Sequence, residues 1–466
     1  MRICLSLVLV AYFAFALLDF DAFYSNEGVL PISLMLEKSW NPYYFSLFNL
    51  SIFPGWGILL LLAGMAASMS LLVGYHTTLA TFFCWILLVS LQNRNTLILQ
   101  SGDDFLRMIL LTGVFLPWGS HYSLDARHSS PMQNSVAHFG TALYLIQFAS
   151  LYFFSALLKS SDEWRVNYTA LYYAYSLDQM VLPLGKLLLP YPNLLKVLTA
   201  LTFYVELGVP FLLFIPFRPA LFRISAFVLL LLLQLGIGLT LYVGFFYLIS
   251  ISASIGLLPS FVMDKWDQLI NRMDRWSFVK KWRGMEIASI QTQGAHYAKG
   301  FWGRTKSILS LSILFIILIW NTSTLTFVPY ALGDTWAGVV HTFRLDQNWS
   351  MFAPGVFKDD GWYILEGKMA GQAPINLLKE GNAVSYEKPA NIVASFRTER
   401  WRKYYESLLF LNKSDFRIPY CQYARSRWNI SHKEKIDTLR VVYMKELTLP
   451  DYAKPTIHKE VICSCW

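Results

Sequence analysis

The sequence predicts an all-α polytopic membrane bundle of about nine transmembrane helices, followed by a small α+β domain on the extracytoplasmic side. Three observations predict this fold class. Hydrophobic residues make up 55% of the 466 residues and charged residues only 15%, against about 25% charged residues in an average protein. Apolar segments recur that approach the roughly 20 residues a helix needs to cross the hydrocarbon layer. The final part of the chain instead contains short runs typical of strands.

Nine apolar segments are candidate membrane spans, and they cover residues 3–18, 54–75, 77–92, 104–118, 138–158, 195–216, 221–243, 244–260 and 307–327. The first could be a signal peptide, but it lacks a small-residue cleavage site, so we interpret it as a span. The chain then divides into an eight-span bundle at 1–260, a basic linker at 261–306, a ninth transmembrane helix at 307–327 and an outer domain at 328–466.

Basic residues predict the orientation. Residues 262–306 contain nine Lys and Arg residues against four Asp and Glu residues, and short loops rich in Lys and Arg remain cytoplasmic. The N-terminus is then cytoplasmic and the C-terminal domain extracytoplasmic. The net charge of +9 is explained by membrane orientation, so we expect membrane lipids but no nucleic acid as partners. We predict no metal site, because the sequence has no zinc-ligand spacing.

The loop between the third and fourth spans is unusually polar for a membrane boundary. Amides, carboxylates and guanidinium groups there need partners, which predicts a bonded network that could line a substrate or quinone pocket. A hydrated loop with helix-capping aspartates is the alternative. The residues are Asn93, Arg94, Asn95, Asp103, Asp104 and Arg107, with Gln92 beside them.

The loop after the fifth span begins with Lys159 and continues through Trp164 into an aromatic segment that contains Asp178 and Gln179. Such a segment is typical of the membrane interface or of the roof of a cavity. Lys159 is either a snorkelling lysine at a helix end or, if desolvated, a candidate general base. Glu206 lies within the sixth span, where an acid needs a functional or network role. A structural pairing with Arg94 or Arg107 is the alternative.

The outer domain contains three segments that we predict to be strands, around residues 361–369, 391–396 and 439–449, and an amphipathic helix around 397–411. Cys421, Cys463 and Cys465 also lie there. One bridge from Cys421 to either C-terminal cysteine is plausible on the extracytoplasmic side.

The stretch DQNWSMFAPGVFKDDGW joins the last span to this domain. Its apolar residues Trp349, Met351, Phe352 and Pro354 are expected to form a lid or a domain junction, and Asp359 and Asp360 precede the first strand. An aromatic belt at the membrane interface is the alternative.

Several blocks, in order, resemble the horizontally transferred transmembrane domain family, which is related to vitamin K-dependent γ-glutamyl carboxylase. They are DAFYSNEGVLP, SLQNRNTLILQSGDDFLRM, YFFSALLKSSDEWRVNYTALYYA, LDQ, LTFYVELGVPFLLF, LGIGLTLYVGFF and LDQNWSMFAPGVFKDDGWYILEG. They cover about residues 1 to 370.

The resemblance implies a carboxylase-like enzyme at the outer membrane face that uses reduced vitamin K or another quinol together with O2 and CO2. The lysine of the pattern "helix, Lys, four residues, Trp" acts in that family as a base toward the quinol, a role that would fall to Lys159. In that family, oxygen converts the deprotonated quinol into a strong alkoxide base. This alkoxide removes a γ-proton from a glutamate of a protein substrate, and the carbanion that forms takes up CO2. Two departures favour a non-catalytic lipid- or partner-binding protein instead. Gln234 stands where the family often has His, and the outer domain is shorter than that of the animal enzyme.

Overall fold

A computed structural model describes residues 1–127, 139–272, 301–328 and 333–466. Helices of the first two ranges are α1 (Arg2–Leu18), α2 (Phe20–Phe23), α3 (Ile32–Lys38), α4 (Pro54–Val73), α5 (Thr77–Arg94), α6 (Ser101–Gly113), α7 (Phe139–Leu158), α8 (Asp162–Arg165), α9 (Ala170–Ser176), α10 (Pro183–Leu188), α11 (Pro192–Leu212), α12 (Pro219–Thr240), α13 (Phe246–Ser254) and α14 (Ser260–Arg272). Helices of the last two ranges are α15 (Phe301–Ser323), α16 (Asp334–Thr342), α17 (Glu399–Leu409) and α18 (Arg417–Ser431). Strands β1 (Asp359–Lys368), β2 (Ile375–Asn376), β3 (Asn382–Ala383), β4 (Thr438–Leu447) and β5 (Thr456–Cys465) form one sheet.

Among the described residues, five helices are long and apolar enough to cross a membrane, namely α4, α7, α11, α12 and α15. The count becomes six if α13 and α14, which meet at an angle of 104°, are one broken span. The predicted nine spans are therefore not confirmed.

The expected spans that fall short have identifiable causes. Helix α5 ends in the polar residues Gln92, Asn93 and Arg94, and α6 ends at Gly113, ahead of Pro117. Proline also stands at the break between α13 and α14, as Pro259. A proline cannot donate its backbone nitrogen and restricts the residue before it, so it ends or bends a helix.

The membrane bundle brings neighbouring helices into close contact. Helix α1 packs on α4, α4 on α5, and α7 on α11 and α15. At the α1–α4 contact, a Cβ atom on Gly64 would lie 2.7 Å from the ring of Phe13, so only glycine permits this approach. Helix α7 thus stands inside the bundle, and more than half of its apolar span is buried by the protein.

The sheet of the C-terminal domain (residues 359–466) is antiparallel, in the order β3-β2-β1-β4-β5. Strands β1 and β4 pair along their full length, with Asp359 opposite Leu447 and Lys368 opposite Thr438. Helices α17 and α18 complete the α+β domain.

The predicted strand at 391–396 is wrong, because Val393–Ser395 forms a short 3-10 helix. The side chain of Asn391 accepts a hydrogen bond from the backbone N–H of Ala394, at 3.1 Å. The hydroxyl of Ser395 donates to the carbonyl of Ile392, at 2.6 Å. Such local side-chain bonds compete with strand pairing.

The C-terminal domain is docked onto the bundle by polar contacts. The Ser407 hydroxyl donates to the carbonyl of Leu97, and the Tyr172 hydroxyl donates to that of Leu449. The predicted linker at 261–306 falls partly on α14 and α15, and its residues 273–300 lie outside the described ranges.

Candidate functional site

Lys159 directly follows the last residue of α7 and is buried, with 2% of its surface exposed. Its Nζ donates to the Ser155 hydroxyl and to Oε2 of Glu206, each at 2.6 Å. The Ser155 hydroxyl also donates to the same carboxylate oxygen, at 3.2 Å. An amine, a hydroxyl and a carboxylate thus share one site, which we call the lysine cluster (Ser155, Lys159, Trp164 and Glu206).

Helix geometry places these groups together. Ser155 and Lys159 are four residues apart and lie on one face of the chain as α7 ends, since residues four apart in a helix are neighbours. Glu206 faces them from α11, which packs along α7. Pro210 lies one turn beyond Glu206 inside α11 and cannot donate to its carbonyl.

The ring of Trp164 and the chain segment at residues 344–356 cover the amine of Lys159. The Nζ atom of Lys159 lies 5.2 Å from the centre of a Trp164 ring, a cation–π distance. The indole N–H of Trp164 donates to the carbonyl of Phe352, at 2.8 Å. The backbone N–H of Ser161 donates to the carbonyl of Pro354, at 3.1 Å. The junction segment, residues 344–356, therefore lies directly over the loop that begins with Lys159.

The four apolar junction residues do not share one environment. Trp349 is 1% exposed and packs edge-on against the ring of Phe105. Met351 and Phe352 are half-buried, whereas Pro354 is exposed. Three of the four side chains thus face the protein.

Gln234 lies on α12 and contacts α7 one turn before the lysine cluster. Its Nε2 donates to the Tyr152 hydroxyl at 3.1 Å, and Tyr152 lies one turn before Ser155 on α7. The side-chain carbonyl of Gln234 is buried and has no hydrogen-bond partner among the described residues. A buried polar atom without a partner is rare and marks a place where a ligand or water can bind.

The polar residues at the ends of α5 and α6 form a separate arginine network (Gln92, Asn93, Asp104, Arg107, Arg344 and Asp346). Arg107 is fully buried and donates to the carbonyls of Arg344 and Asp346, at 2.9 and 2.6 Å. It also donates to the Gln92 side-chain carbonyl at 2.7 Å and pairs with Asp104 at 2.9 Å. Arg107 thus ties α5 and α6 to the junction segment.

Asn93, Arg94 and Asn95 hold loops in place. Their side chains donate to the backbone carbonyls of Phe45, Ser25 and Phe23, respectively. Asn93 also accepts from Arg344, while Nε of Arg94 lacks a partner among the described residues.

Asp103 joins the bundle to the C-terminal domain. Its carboxylate accepts from the Arg400 guanidinium at 3.0 Å, from the Tyr12 hydroxyl and from the backbone N–H of Gln100. Among the described residues, the bonds of Asn93, Arg94, Asn95, Asp103, Asp104 and Arg107 therefore go to other parts of the bundle, to the junction segment and to the C-terminal domain. None of these bonds reaches the lysine cluster.

Asp178, Gln179 and Asp360 meet where the loop after α9 contacts the sheet. The Asp360 carboxylate is 4% exposed and accepts from the backbone N–H of Gln179, at 3.2 Å. Burial, together with the nearby charge of Asp178 and against the lowering effect of backbone N–H donors, raises the pKa of Asp360 to about 7. Lys186 and Lys388 each approach Asp178 to 2.7 Å. Asp359 is exposed and lies 3.5 Å from Lys445.

The cysteines of the C-terminal domain include one disulfide, between Cys421 in α18 and Cys465 in β5. Cys463 is a free, buried thiol that donates to the carbonyl of Arg417. Burial raises the pKa of the Cys463 thiol to about 12, so it remains protonated at neutral pH.

Sequence reasoning missed several partners in these clusters. Ser155 and Tyr152 could have been predicted from the sequence as neighbours of Lys159, because they lie four and seven residues before it on the same helix face. The bonds of Arg344 to Asn93 and of Arg400 to Asp103 could not be predicted in this way, since each pair is more than two hundred residues apart in the chain. In the described ranges, no group of three His, Cys, Asp or Glu side chains is arranged to hold a metal ion.

Comparison with known proteins gives one family. No curated protein and no solved structure matches the chain. The model of the lipase maturation factor transmembrane domain matches residues 1–264, which is more than half of the chain and contains the lysine cluster. The matching model is not that of the carboxylase-related family that the loops resemble. The protein is therefore an integral membrane protein and belongs to the lipase maturation factor family.

Proposed function

We propose that this protein acts in the maturation of a lipase, as a membrane protein that binds the lipase while it folds. The observation that carries the proposal is the family match over residues 1–264, whose description names lipase maturation. It corresponds to the partner-binding alternative drawn from the sequence.

The arginine network supports a scaffold role for the ends of α5 and α6. The polar side-chain atoms of Arg107 and Gln92 form hydrogen bonds within the chain. These atoms are therefore not available to bind a substrate. Their bonds fix the junction segment and, through Asp103 and Arg400, the C-terminal domain. A rigidly docked domain is suited to presenting a surface to a protein partner.

Strand β5 offers such a surface. It lies at the edge of the sheet, and its side chains Ile457 and Val461 are 48% and 53% exposed. An edge strand has unpaired backbone groups to which an extended segment of a partner can add. We therefore place the lipase contact at β5.

We place the C-terminal domain, and with it this contact, on the extracytoplasmic side. The disulfide between Cys421 and Cys465 supports this orientation, because disulfides persist in oxidising compartments. The basic composition of residues 262–306 supports it independently. A protease-sensitive tag after Trp466 should be protected from added protease in sealed vesicles whose lumen is the extracytoplasmic side. Digestion of the tag in these vesicles would show that the C-terminal domain is cytoplasmic.

The test of function compares native cells with and without this chain. We expect at least one lipase to lose specific activity, measured as activity per amount of lipase antigen, when the chain is removed. Val461→Lys should fail to restore that activity, whereas Val166→Lys, at a position 65% exposed outside the sheet, should restore it. Unchanged specific activity of every lipase in the deleted cells would refute the proposal.

A second candidate function, quinol- and O2-dependent carboxylation of a glutamate with CO2, is favoured by the lysine cluster. Two features fit a quinol at this site: Lys159 is desolvated, and the buried carbonyl of Gln234 is a free acceptor for a quinol hydroxyl. The quinol, when bound, would supply the reducing power for oxygen chemistry. With the shared proton of the pair on Glu206, the neutral amine of Lys159 would take the hydroxyl proton. Glu206 would also hold the amine in place, and Trp164 would exclude water.

This second function has its own test. Envelope proteins from cells with and without the chain are searched by mass spectrometry for γ-carboxyglutamate. Carboxylation that depends on the chain, is lost with Lys159→Ala and is kept with Lys196→Ala on exposed α11 surface would support it. Identical γ-carboxyglutamate content with and without the chain would exclude it.

A further inference from the structure

An open groove in the C-terminal domain belongs to neither candidate function. It lies between α17, α18 and the β1 side of the sheet, and its volume is about 490 Å³. Sites for small molecules have volumes of roughly 300–1,000 Å³, so the groove is large enough for a ligand. We call it the aromatic groove, because Trp401, Tyr405, Tyr420, Tyr423 and Trp428 contribute to its wall.

The wall of the aromatic groove suits hydrocarbon. The hydroxyls of Tyr405 and Tyr420 bond to each other at 2.6 Å, which leaves the ring surfaces as their remaining contact area. The indole N–H of Trp428 is likewise occupied, by the carbonyl of Glu434. Leu365 and Leu377 add aliphatic surface. An acyl chain is a better occupant of such a wall than a polar ligand is.

The groove is lined by two arginines and one glutamate, Glu380, so it carries net positive charge. Arg397 and Arg427 line its rim, and their side chains are 67% and 55% exposed. The nearest carboxylate to each guanidinium, that of Asp19 and that of Asp21, is 3.8 Å away. These distances exceed hydrogen-bond length, so both guanidinium groups retain donors for an anion.

The rim also lies at the end of an apolar helix of the bundle. Arg397 donates to the carbonyl of Leu18, the last residue of α1, at 3.2 Å. The apolar side chains of Leu18 and Phe15 are 65% and 46% exposed on this helix. In an integral membrane protein, exposed apolar side chains on such a helix face lipid. The positive rim therefore borders the lipid surface.

We propose that the aromatic groove binds one anionic phospholipid from the surrounding membrane. Its phosphate pairs with Arg397 and Arg427, and one acyl chain lies against Trp401 and Trp428. Arginine suits this role because its guanidinium forms paired hydrogen bonds with phosphate. The site is independent of β5 and of the lysine cluster, so its existence does not depend on either candidate function.

The test uses the full-length protein in nanodiscs of phosphatidylcholine with a minor fraction of phosphatidylglycerol. Lipid retained after transfer to detergent is counted by native mass spectrometry. We expect one phosphatidylglycerol per chain, and a loss of at least tenfold in its retention for the double variant Arg397→Ala/Arg427→Ala. The matched control, Lys379→Ala/Lys433→Ala, removes the same charge from exposed residues outside the groove and should retain the lipid.

Further measurements distinguish a phospholipid from a free anion and from a protein partner. Trp428→Ala should also reduce retention, and inorganic phosphate should not displace the lipid, because phosphate lacks the acyl chain. Equal retention by the two double variants, or no preference for phosphatidylglycerol over phosphatidylcholine, would overturn the proposal. Displacement of the bound lipid by inorganic phosphate alone would show that the groove is an anion site without lipid recognition. A Trp428→Ala variant that keeps the lipid but loses lipase binding would show that the groove binds a protein. Size-exclusion profiles identical to that of the unmodified protein establish that each variant is folded.

Discussion

The arginine network and the surroundings of the lysine cluster are both buried and charged, yet they differ in how completely their polar atoms are bonded. Arg107 donates three hydrogen bonds and pairs with two carboxylates, and both ends of the Gln92 side chain are bonded. Beside the lysine cluster, by contrast, the carbonyl of Gln234 has no partner among the described residues. A satisfied network fixes a structure, whereas an unsatisfied atom leaves chemistry to be completed by a ligand or water. The contrast separates a region whose bonds hold the structure together from a region where a ligand or water can complete the bonding.

The largest effect is expected when the arginine network loses its centre. Arg107→Met would remove the cation that pairs with Asp104 and the donor to the carbonyls of Arg344 and Asp346. Breaking a buried charged pair from one side costs about 3–5 kcal/mol, and the upper end applies here because several acceptors are stranded together. Thermal unfolding of the purified protein checks this. Arg425→Met, which removes a part-exposed arginine with one bond to the carbonyl of Asp437, is the control and should lose less than about 1 kcal/mol.

A second prediction extends the comparison to two buried carboxylates. Asp103 has the guanidinium of Arg400 as its partner, whereas Asp360 has backbone donors and lies near another acid, with a pKa of about 7. Folded Asp360 thus binds its proton more tightly than the unfolded chain, where aspartate has a pKa of about 3.9. The stabilisation from that proton is complete below about pH 4 and is lost as pH rises through 7.

The native protein should therefore lose up to about 4 kcal/mol of stability between about pH 4 and pH 8, as Asp360 ionises. The Asp360→Asn variant cannot ionise at this position and should not show this loss. The measurement is the free energy of unfolding of both proteins across this range, and the two curves should diverge as pH rises. Asp359→Asn, at an exposed neighbour on the same strand, should leave the pH dependence unchanged. Parallel curves for Asp360→Asn and the native protein would show that Asp360 is ionised without penalty.

These clusters also show how far the sequence alone reaches. The boundary residues 92–107 and the intramembrane Glu206 could be predicted to need partners, because charge in a low-dielectric medium must be compensated. Which partners they take could not be predicted. Glu206 pairs with Lys159 instead of with Arg94 or Arg107, since only the packing of α7 on α11 decides which charges meet. Helix length was similarly misjudged where hydropathy counted the residues around Pro117 and Pro259 as parts of spans.

The ion pair of the lysine cluster provides the third prediction. Lys159→Met leaves the Glu206 carboxylate buried beside Ser155 without its cation, which should cost about 3 kcal/mol. The double variant Lys159→Met/Glu206→Gln should regain most of this stability, because no unpaired charge remains. Unfolding of the single and double variants measures the coupling. Equal stability of the two variants would mean that Glu206 does not depend on Lys159, and the cluster would then be two independent residues.

The smallest and most discriminating effect comes from making the same substitution in both regions. Gln92→Met and Gln234→Met each replace a buried glutamine, 1% exposed in both cases, by a side chain of similar shape and helix propensity. Gln92 loses a bond from Arg107 at 2.7 Å and one to the carbonyl of Asp103 at 3.0 Å, which should cost about 2 kcal/mol because one partner is charged. Gln234 loses one bond to Tyr152.

Removing the Gln234 carbonyl also relieves a buried acceptor that lacks a partner, and this gain offsets the lost bond. The net change for Gln234→Met should therefore stay within about 1 kcal/mol. Chemical unfolding of the two variants under identical conditions gives the difference directly. If Gln234→Met costs as much as Gln92→Met, the carbonyl is bonded in the membrane by water or by a retained ligand. Mass spectrometry of the purified protein then separates these cases, because a ligand held by Gln234 would be present in the native protein and depleted in the variant.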